Sequence, residues 1–315
     1  MSFVHLHVHT QFSIADALTR TADMVKLALK HGMPAIALTD HDNLHGAIQF
    51  TNACAAPRKD WLEKNKELAE PRPESEAPAA IKPIYGCCLA IAKAPMGEHV
   101  KRVHHLTLLA ENLTGWQNLM YLVSQAHLQA PSGAPPRVSW ELLAAHAEGL
   151  IGLSGDLAGE IANALLRGDE DDARRHAERY KGIFAPGNFY IEVQASGLAE
   201  HARLMPQLLA LADAVGLPCV ASNDTHYLAP GNARAHEVLL CIGLGLQARP
   251  EHEPMPTDQL DLASPEEMRR RFAGYEHLCD ETVRIAERCN VKLHLGEPML
   301  PAFPTGEGEG EVELF

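Results

Sequence analysis

Apolar positions in this chain recur in two rhythms that alternate along its length. In residues 21–31, Met24, Leu27 and Ala28 fall at helical spacing with Gly32 just beyond, which predicts a helix with a glycine stop. Residues 34–39 are short and apolar, predicting a buried strand that ends in Asp40-His41-Asp42. The pattern then repeats. A helix is expected over 44–54, strands within 81–92 and 105–110, and a helix over 114–128 with Trp116, Leu119, Met120 and Val123 on one face. Residues 149–154, 189–193 and 217–222 are strand-like, with helical segments between and after them. Phe3, Val4, Leu6 and Val8 mark the opening stretch as a further buried strand. Such alternation predicts an α/β fold with a mainly parallel sheet, and about seven strands is enough to close a barrel.

Two stretches break the rhythm. Residues 55–80 carry Pro57, Pro71, Pro73 and Pro78 among Lys, Glu and Ala, and read as an exposed insertion, part helix and part disordered. Residues 247–262, with Pro250, Pro254 and Pro256, read as a loop, after which Ser264-Pro265-Glu266-Glu267 opens a helix with a capping box. This divides the chain into a barrel over 1–296 and a terminal piece, 297–315, whose Gly- and Glu-rich end reads as a linker or the start of a following region.

Composition narrows the partners. With 46% hydrophobic residues in 315, a sizeable core is available, and no apolar run approaches the roughly 20 residues that span a bilayer. Seven cysteines without CxxC spacing, and no basic-apolar leader, point to a reduced cytoplasmic protein without structural disulfides. A net charge of −14 argues against a surface that tracks phosphate backbones.

The chemistry lies in the histidines and acids. His5, His7 and His9 occupy alternate positions, so on a regular strand they leave one face, as metal ligands or as satisfied core imidazoles. At or beside the other strand ends stand Asp16, Asp40, His41, Cys87, Cys88, His104, His105, Asp156, Asp224 and His226. So many ionisable groups meeting at one end of a barrel would repel or stay unsatisfied without a cation. Imidazole with carboxylate suits zinc, manganese or iron, and there is room for two or three divalent ions, a set suited to phosphoester hydrolysis. His31, His127, His176, His201 and His236 fall on predicted helices and read as surface or capping residues.

These residues carry a resemblance. The opening Phe3-Val-His-Leu-His-Val-His-Thr-Gln-Phe-Ser-Ile-Ala-Asp16, Leu38-Thr-Asp-His41, Ile81-Lys-Pro-Ile-Tyr-Gly86, the block from His105 to Leu119, Gly149-Leu-Ile-Gly-Leu-Ser-Gly155, Ala221-Ser-Asn-Asp-Thr-His226 and Phe303-Pro-Thr-Gly306 are similar to blocks of the PHP (polymerase and histidinol phosphatase) family. The branch most resembled is the one at the N-terminus of bacterial DNA polymerase III alpha subunits. The resemblance implies a distorted (β/α)7 barrel with a trinuclear metal site at the strand ends. It also implies that His7, His9, Asp16, His41, His105, Asp224 and His226 are ligands, that Asp40 orients an imidazole, and that His5 is packing. Cys88 stands where the family usually has an acidic bridging ligand, and Asp156 where the polymerase branch often has Cys; both can ligate, and Cys88 also reads as a small buried hydrophobe. His7, His9, His41, Asp224 and His226 are then the expected catalytic set. A 3′–5′ exonuclease acting on DNA 3′ ends is the leading expectation, beside the polymerase body and other replisome subunits if the chain is part of a longer one. A phosphatase for small phosphate esters and a non-catalytic docking scaffold are the alternatives.

Overall fold

A computed structural model of the chain describes residues 2–68, 72–78, 80–100, 102–250 and 255–296. Pro71, Pro254, the 303–306 block and the terminal piece 297–315 therefore lie outside the described residues.

The chain runs α1 (Thr21–Lys30), β1 (Ala35–Leu38), α2 (Ala47–Lys66), β2 (Lys82–Ala92), β3 (His104–Ala110), α3 (Leu113–Leu128), β4 (Val138–Ser139), α4 (Trp140–Ala145), β5 (Leu150–Leu153), α5 (Glu160–Leu166), α6 (Glu170–Ile183), β6 (Phe189–Gln194), α7 (Ala199–Val215), β7 (Cys219–Ser222), α8 (Ala233–Leu244), α9 (Pro265–Arg271) and α10 (Glu276–Arg288). The sheet order is β1-β2-β3-β5-β6-β7, with β4 paired to the far end of β2. The opening segment closes the ring between the two outer strands. On one side the Ala37 and Thr39 amides donate to the carbonyls of His5 and Val8; on the other, the His9 and Thr225 amides exchange bonds with the carbonyls of Thr225 and His7. The result is a distorted barrel of seven staves.

Two features depart from the sequence expectation. β3 runs antiparallel to both β2 and β5, so its first residues, not its last, sit at the end of the barrel where the other strands finish. That reversal brings His105 to the same rim as His41. The opening stretch is extended but bonds to its two neighbours at separate points rather than along a regular ladder, with a bend at His7. The bend breaks the two-residue alternation. Val4 and Leu6 point into the barrel with the lower core, while His7 and His9 above them also face inward and His5 turns out toward Thr225 and Ala263.

Inward side chains form ladders that are apolar below and polar above. On β2 the sequence is Ile84, Gly86, Cys88; on β6 Tyr190, Glu192, Gln194; on β7 Val220, Ser222, then Asp224; on reversed β3 Leu109, Thr107, His105. The lower rungs join Val4, Leu6, Ala35, Ala37, Ile151 and Leu153 in one buried cluster that Ile285, Ala286 and Cys289 from α10 and its end plug from beneath. A second, larger core lies between the staves and the surrounding helices. The polar floor of the site is thus the upper part of a barrel whose lower part is sealed against water.

The helix expected over 44–54 continues to Lys66 through Pro57, so the first part of the 55–80 insertion is an exposed helical extension. On α3, Trp116, Leu119 and Val123 are buried as expected, but Met120 is exposed and Leu122 takes the inner position. The start of α3 meets the turn before β5 at two facing glycines. A Cβ on Gly115 would lie 1.8 Å from the Gly149 carbonyl oxygen, and backbone cannot yield as a flexible side chain does. Gly115→Ala should therefore cost about 3 kcal/mol, the upper range for overpacking. Urea unfolding would measure it, and a wild-type midpoint would refute this close approach.

Candidate metal centre

Five imidazoles, two carboxylates and a thiol meet at the upper end of the barrel. Asp16 Oδ2 lies 3.1 Å from both His41 Nε2 and His226 Nε2. Asp224 Oδ1 lies 3.2 Å from His9 Nε2, 3.4 Å from His7 Nε2 and 3.6 Å from His226 Nδ1. The His9 and His41 rings stack with centroids 4.1 Å apart, and His226 stands 4.6 Å from His9. Three sets of donor atoms fall close enough to share an ion: His9, Asp16, His41 and His226; His7, His9 and Cys88; and His41, Cys88 and His105. Cys88 joins two of these sets, which places its sulfur between them.

The orientation of three of the rings follows from the other nitrogen. His7 Nδ1 donates to Glu192 Oε1 at 2.7 Å, which leaves Nε2 facing the site. His9 Nδ1 is 3.3 Å from Ser13 Oγ, and Ser13 donates its own proton to Asp40 Oδ1. Asp40 also accepts from the Thr10 amide and hydroxyl, so it fixes the strand-to-loop turn and acts on His9 through Ser13. His226 Nδ1 donates to the Asp224 carbonyl at 2.8 Å, again leaving Nε2 for the site. A carboxylate, hydroxyl or carbonyl behind each of these three imidazoles is the arrangement that directs the opposite nitrogen to a metal.

The buried acids and imidazoles of the site shift one another. Burial alone would lower His7, but the carboxylates of Glu192 and Asp224 outweigh it and raise its pKa to about 10. His226 is raised to about 9 against the same penalty, by Asp224 and Asp16. Asp16 and Asp224 are held well below the usual carboxylate range, their burial offset by the surrounding imidazoles. Burial and the neighbouring His41 and His226 push His9 far down, so it presents a neutral ring, and burial pushes the Cys88 thiol well up. His105 is lowered to about 4, chiefly by burial and then by His41 and His7.

Divalent ions fit this donor set on an observation independent of charge. His9 Nε2, Asp224 Oδ1 and His41 Nδ1 are buried and have no hydrogen-bond partner among the described residues. The 3.2 Å contact between the first two lacks hydrogen-bond geometry. Buried polar atoms are normally paired, and three orphans in one cluster are what a coordinating cation would satisfy. Backbone strain converges here too. Ala15, Asp42 and Asp224 are the non-glycine residues with positive φ among those described, at 60°, 51° and 50°, and each carries or adjoins a donor.

The structure brings His7, His9, Asp16, His41, Cys88, His105, Asp224 and His226 together. Asp156 joins none of the ion-sharing sets; its Oδ1 accepts from the Ala158 amide, and burial with the nearby Asp224 raises its pKa to about 6. Cys87 points away and its thiol donates to the Asp40 carbonyl. His5 is buried, with Nε2 donating to the Ala263 carbonyl at 2.9 Å. Two helical histidines expected at the surface are buried instead. His201 Nδ1 is paired with the Ser196 hydroxyl, and His236 donates to the Asp16 carbonyl at 2.6 Å, bracing the loop that carries the Asp16 donor. Glu192 was absent from the sequence expectation altogether. The signal was the two-residue rhythm of Phe189-Tyr-Ile-Glu-Val193, which places an acid on the same face as Tyr190.

Residues 5–196 match the PHP domain family model. The chain is 39% identical over 309 residues to the DNA polymerase III subunit alpha of Treponema pallidum (strain Nichols), covering 96% of this chain and 24% of that protein. It is 35% identical over 313 residues to that of Escherichia coli (strain K12), covering 99% of this chain and 25% of that protein. The chain thus spans about a quarter of the length of the curated relatives it matches. Among solved structures, an amidohydrolase from Chromobacterium violaceum aligns over 86% of this chain and 97% of its own, with 13% identity and a TM-score of 0.44. No helix among the described residues is long and apolar enough to cross a membrane. With its histidine-rich opening, its Thr-Asp-His turn and a family match over most of the barrel, the chain belongs to the PHP domain family.

Proposed function

We propose that this domain is a divalent-metal-dependent phosphoesterase, and that in a polymerase-alpha setting it removes nucleotides from DNA 3′ ends. The observation that carries the reading is the pair of buried, unpartnered atoms His9 Nε2 and Asp224 Oδ1 inside a ring of oriented imidazoles. His7, His9, Asp16, His41, Cys88, His105, Asp224 and His226 are the residues that would hold two or three ions, of zinc, manganese or iron type. Such ions supply an activated water near neutral pH and stabilise charge on the attacking and leaving oxygens of a phosphoester. The protein's own contribution is positional. Glu192 and the Ser13–Asp40 pair hold the His7 and His9 rings, and His236 holds the backbone of Asp16. The sealed apolar floor keeps bulk water from the far side of the site. Residues 1–296 form the domain in this reading.

The test pairs metal analysis with two substrates. The expected result is at least about one tightly held divalent ion per chain, and nucleotide release from single-stranded 3′ ends that chelation abolishes. Chelation should also lower stability by about 3 kcal/mol where the free ion had stood at a hundred times its Kd, read as a drop in Tm. Phosphate release from small esters without nucleotide release would replace the DNA reading with a phosphatase one. Bound metal without turnover of either substrate would leave a metal-stabilised scaffold, and no bound metal would end the proposal.

A further inference from the structure

The loop that carries Asp224 and His226 is strained at its centre, because Asp224 adopts φ 50°. A left-handed aspartate is strained and persists only where its neighbours over-determine it. On its C-terminal side Thr225 is fixed by exchange of backbone bonds with His7 and His9. On its N-terminal side the anchor is Asn223, whose amide group donates to the carbonyls of Gln259 and Asp261 at 2.7 Å each. Those carbonyls belong to the segment before α9, which also receives the His226 amide at the Leu260 carbonyl. The segment had been expected to be only a connecting loop.

One side chain ties these pieces together. Arg271, at the end of α9, has a side chain only 6% exposed and reaches under the loop. Its guanidinium donates to Asn223 Oδ1 at 3.1 Å, to the Gln259 carbonyl at 2.9 Å, to Asp261 Oδ1 at 2.8 Å and to Glu267 Oε1 at 3.0 Å. Every one of its partners is either Asn223, part of the segment that holds Asn223, or the preceding turn of its own helix. A planar fork with donors in fixed directions can satisfy four such acceptors at once, whereas an ammonium at the same place cannot.

We propose that Arg271 is a positioning residue for the metal centre. Through Asn223 and the Gln259–Asp261 carbonyls it holds Asp224 in its left-handed conformation, with Oδ1 among His7, His9 and His226. It touches none of the metal-facing atoms itself. The inference rests on the metal-centre reading above, and its experiment separates the two.

Cobalt(II) binding to the full 315-residue chain is followed by its visible absorption and by titration, for wild type, Arg271→Lys, Asn223→Ala, the double variant and Arg269→Ala. Arg269 is a control on the same helix, paired with Asp280 and the Ser2 carbonyl and away from the loop. Binding by the wild type establishes the centre; its absence sinks the metal reading and this inference with it. With wild-type binding in hand, Arg271→Lys and Asn223→Ala should each weaken cobalt affinity about 10- to 100-fold, with a changed spectrum. The double variant should be no more than about twofold worse than the weaker single, because both changes cut the same link. Arg269→Ala should lose stability while keeping the wild-type spectrum. Wild-type affinity and spectrum in Arg271→Lys, or equal losses in Arg269→Ala, would overturn the proposal. If Arg271→Lys does not fold, Asn223→Ala decides: unchanged cobalt affinity there overturns it, and a weakened, altered site upholds it.

Discussion

Asp224→Asn should bring bound divalent metal below about one ion per chain and remove hydrolytic activity, while the barrel stays folded. Asp224 Oδ1 is the atom that faces most of the site, within 3.2–3.6 Å of nitrogens on His7, His9 and His226. Asparagine keeps the volume and removes the charge, so the loss is electrostatic rather than a cavity. The carboxylate is ionised throughout the physiological range, since its imidazole neighbours hold its pKa well down. Removing it takes away the anion that His7, His9 and His226 share, and leaves Asp16, beside His41 and His226, to balance an entering cation. The expected affinity loss exceeds the 10- to 100-fold of partners that act only through a ligand. His9→Ala should show the same loss, because its orphaned Nε2 is the nitrogen nearest Asp224. Metal analysis of purified variants, with far-UV circular dichroism as the control for folding, checks both. A full metal complement in folded Asp224→Asn would remove the carboxylate from the centre.

The same electrostatics explain what could be read from the chain before its fold was known. Six of the seven strands after the opening stretch lie where short apolar runs placed them, the two-residue β4 having no such run to mark it, and Ser264 caps α9 with its hydroxyl accepting the Glu267 amide. His7, His9, His41 and Asp224 were legible because imidazoles and acids at strand ends converge in any barrel. Other features depended on geometry that periodicity does not encode. The bend at His7 separates His5 from its two neighbours, though all three hold alternate positions. The reversed β3 puts His105 on the working rim from the start of its strand rather than its end. His236 is 220 residues from Asp16 in sequence, and only the packing of α8 reveals their bond. Arg271 and the segment before α9 look like an ordinary helix end and linker until Asn223 is seen between them.

Glu192→Gln should reveal the inner carboxylate in two independent measurements. Glu192 accepts from His7 Nδ1, the Ser222 hydroxyl, the Gly155 amide and the Gln194 amide, and is itself buried. Glutamine can still accept from His7 with its oxygen, but its NH2 then meets the Gly155 N–H, two donors facing each other at a cost of about 1–3 kcal/mol. The first measurement is metal affinity, which should fall 10- to 100-fold as His7 loses its orienting charge. The second is the pH dependence of stability without metal. In the wild type His7 is raised from 6.5 to about 10, so its contribution is fully present below pH 6.5 and is lost as the pH rises through 10. In Glu192→Gln burial pulls His7 down again, and the remaining loss over that window comes from His226, raised to about 9. Urea unfolding of metal-free protein at pH 6.5 and pH 9.5 should therefore show a smaller decline in the variant than in the wild type, by an amount on the order of a few kcal/mol. Lysines and thiols that titrate in the same range are common to both proteins and cancel in the difference. Equal declines would mean that His7 does not hold its proton against Glu192, and the ring would then need another source of orientation.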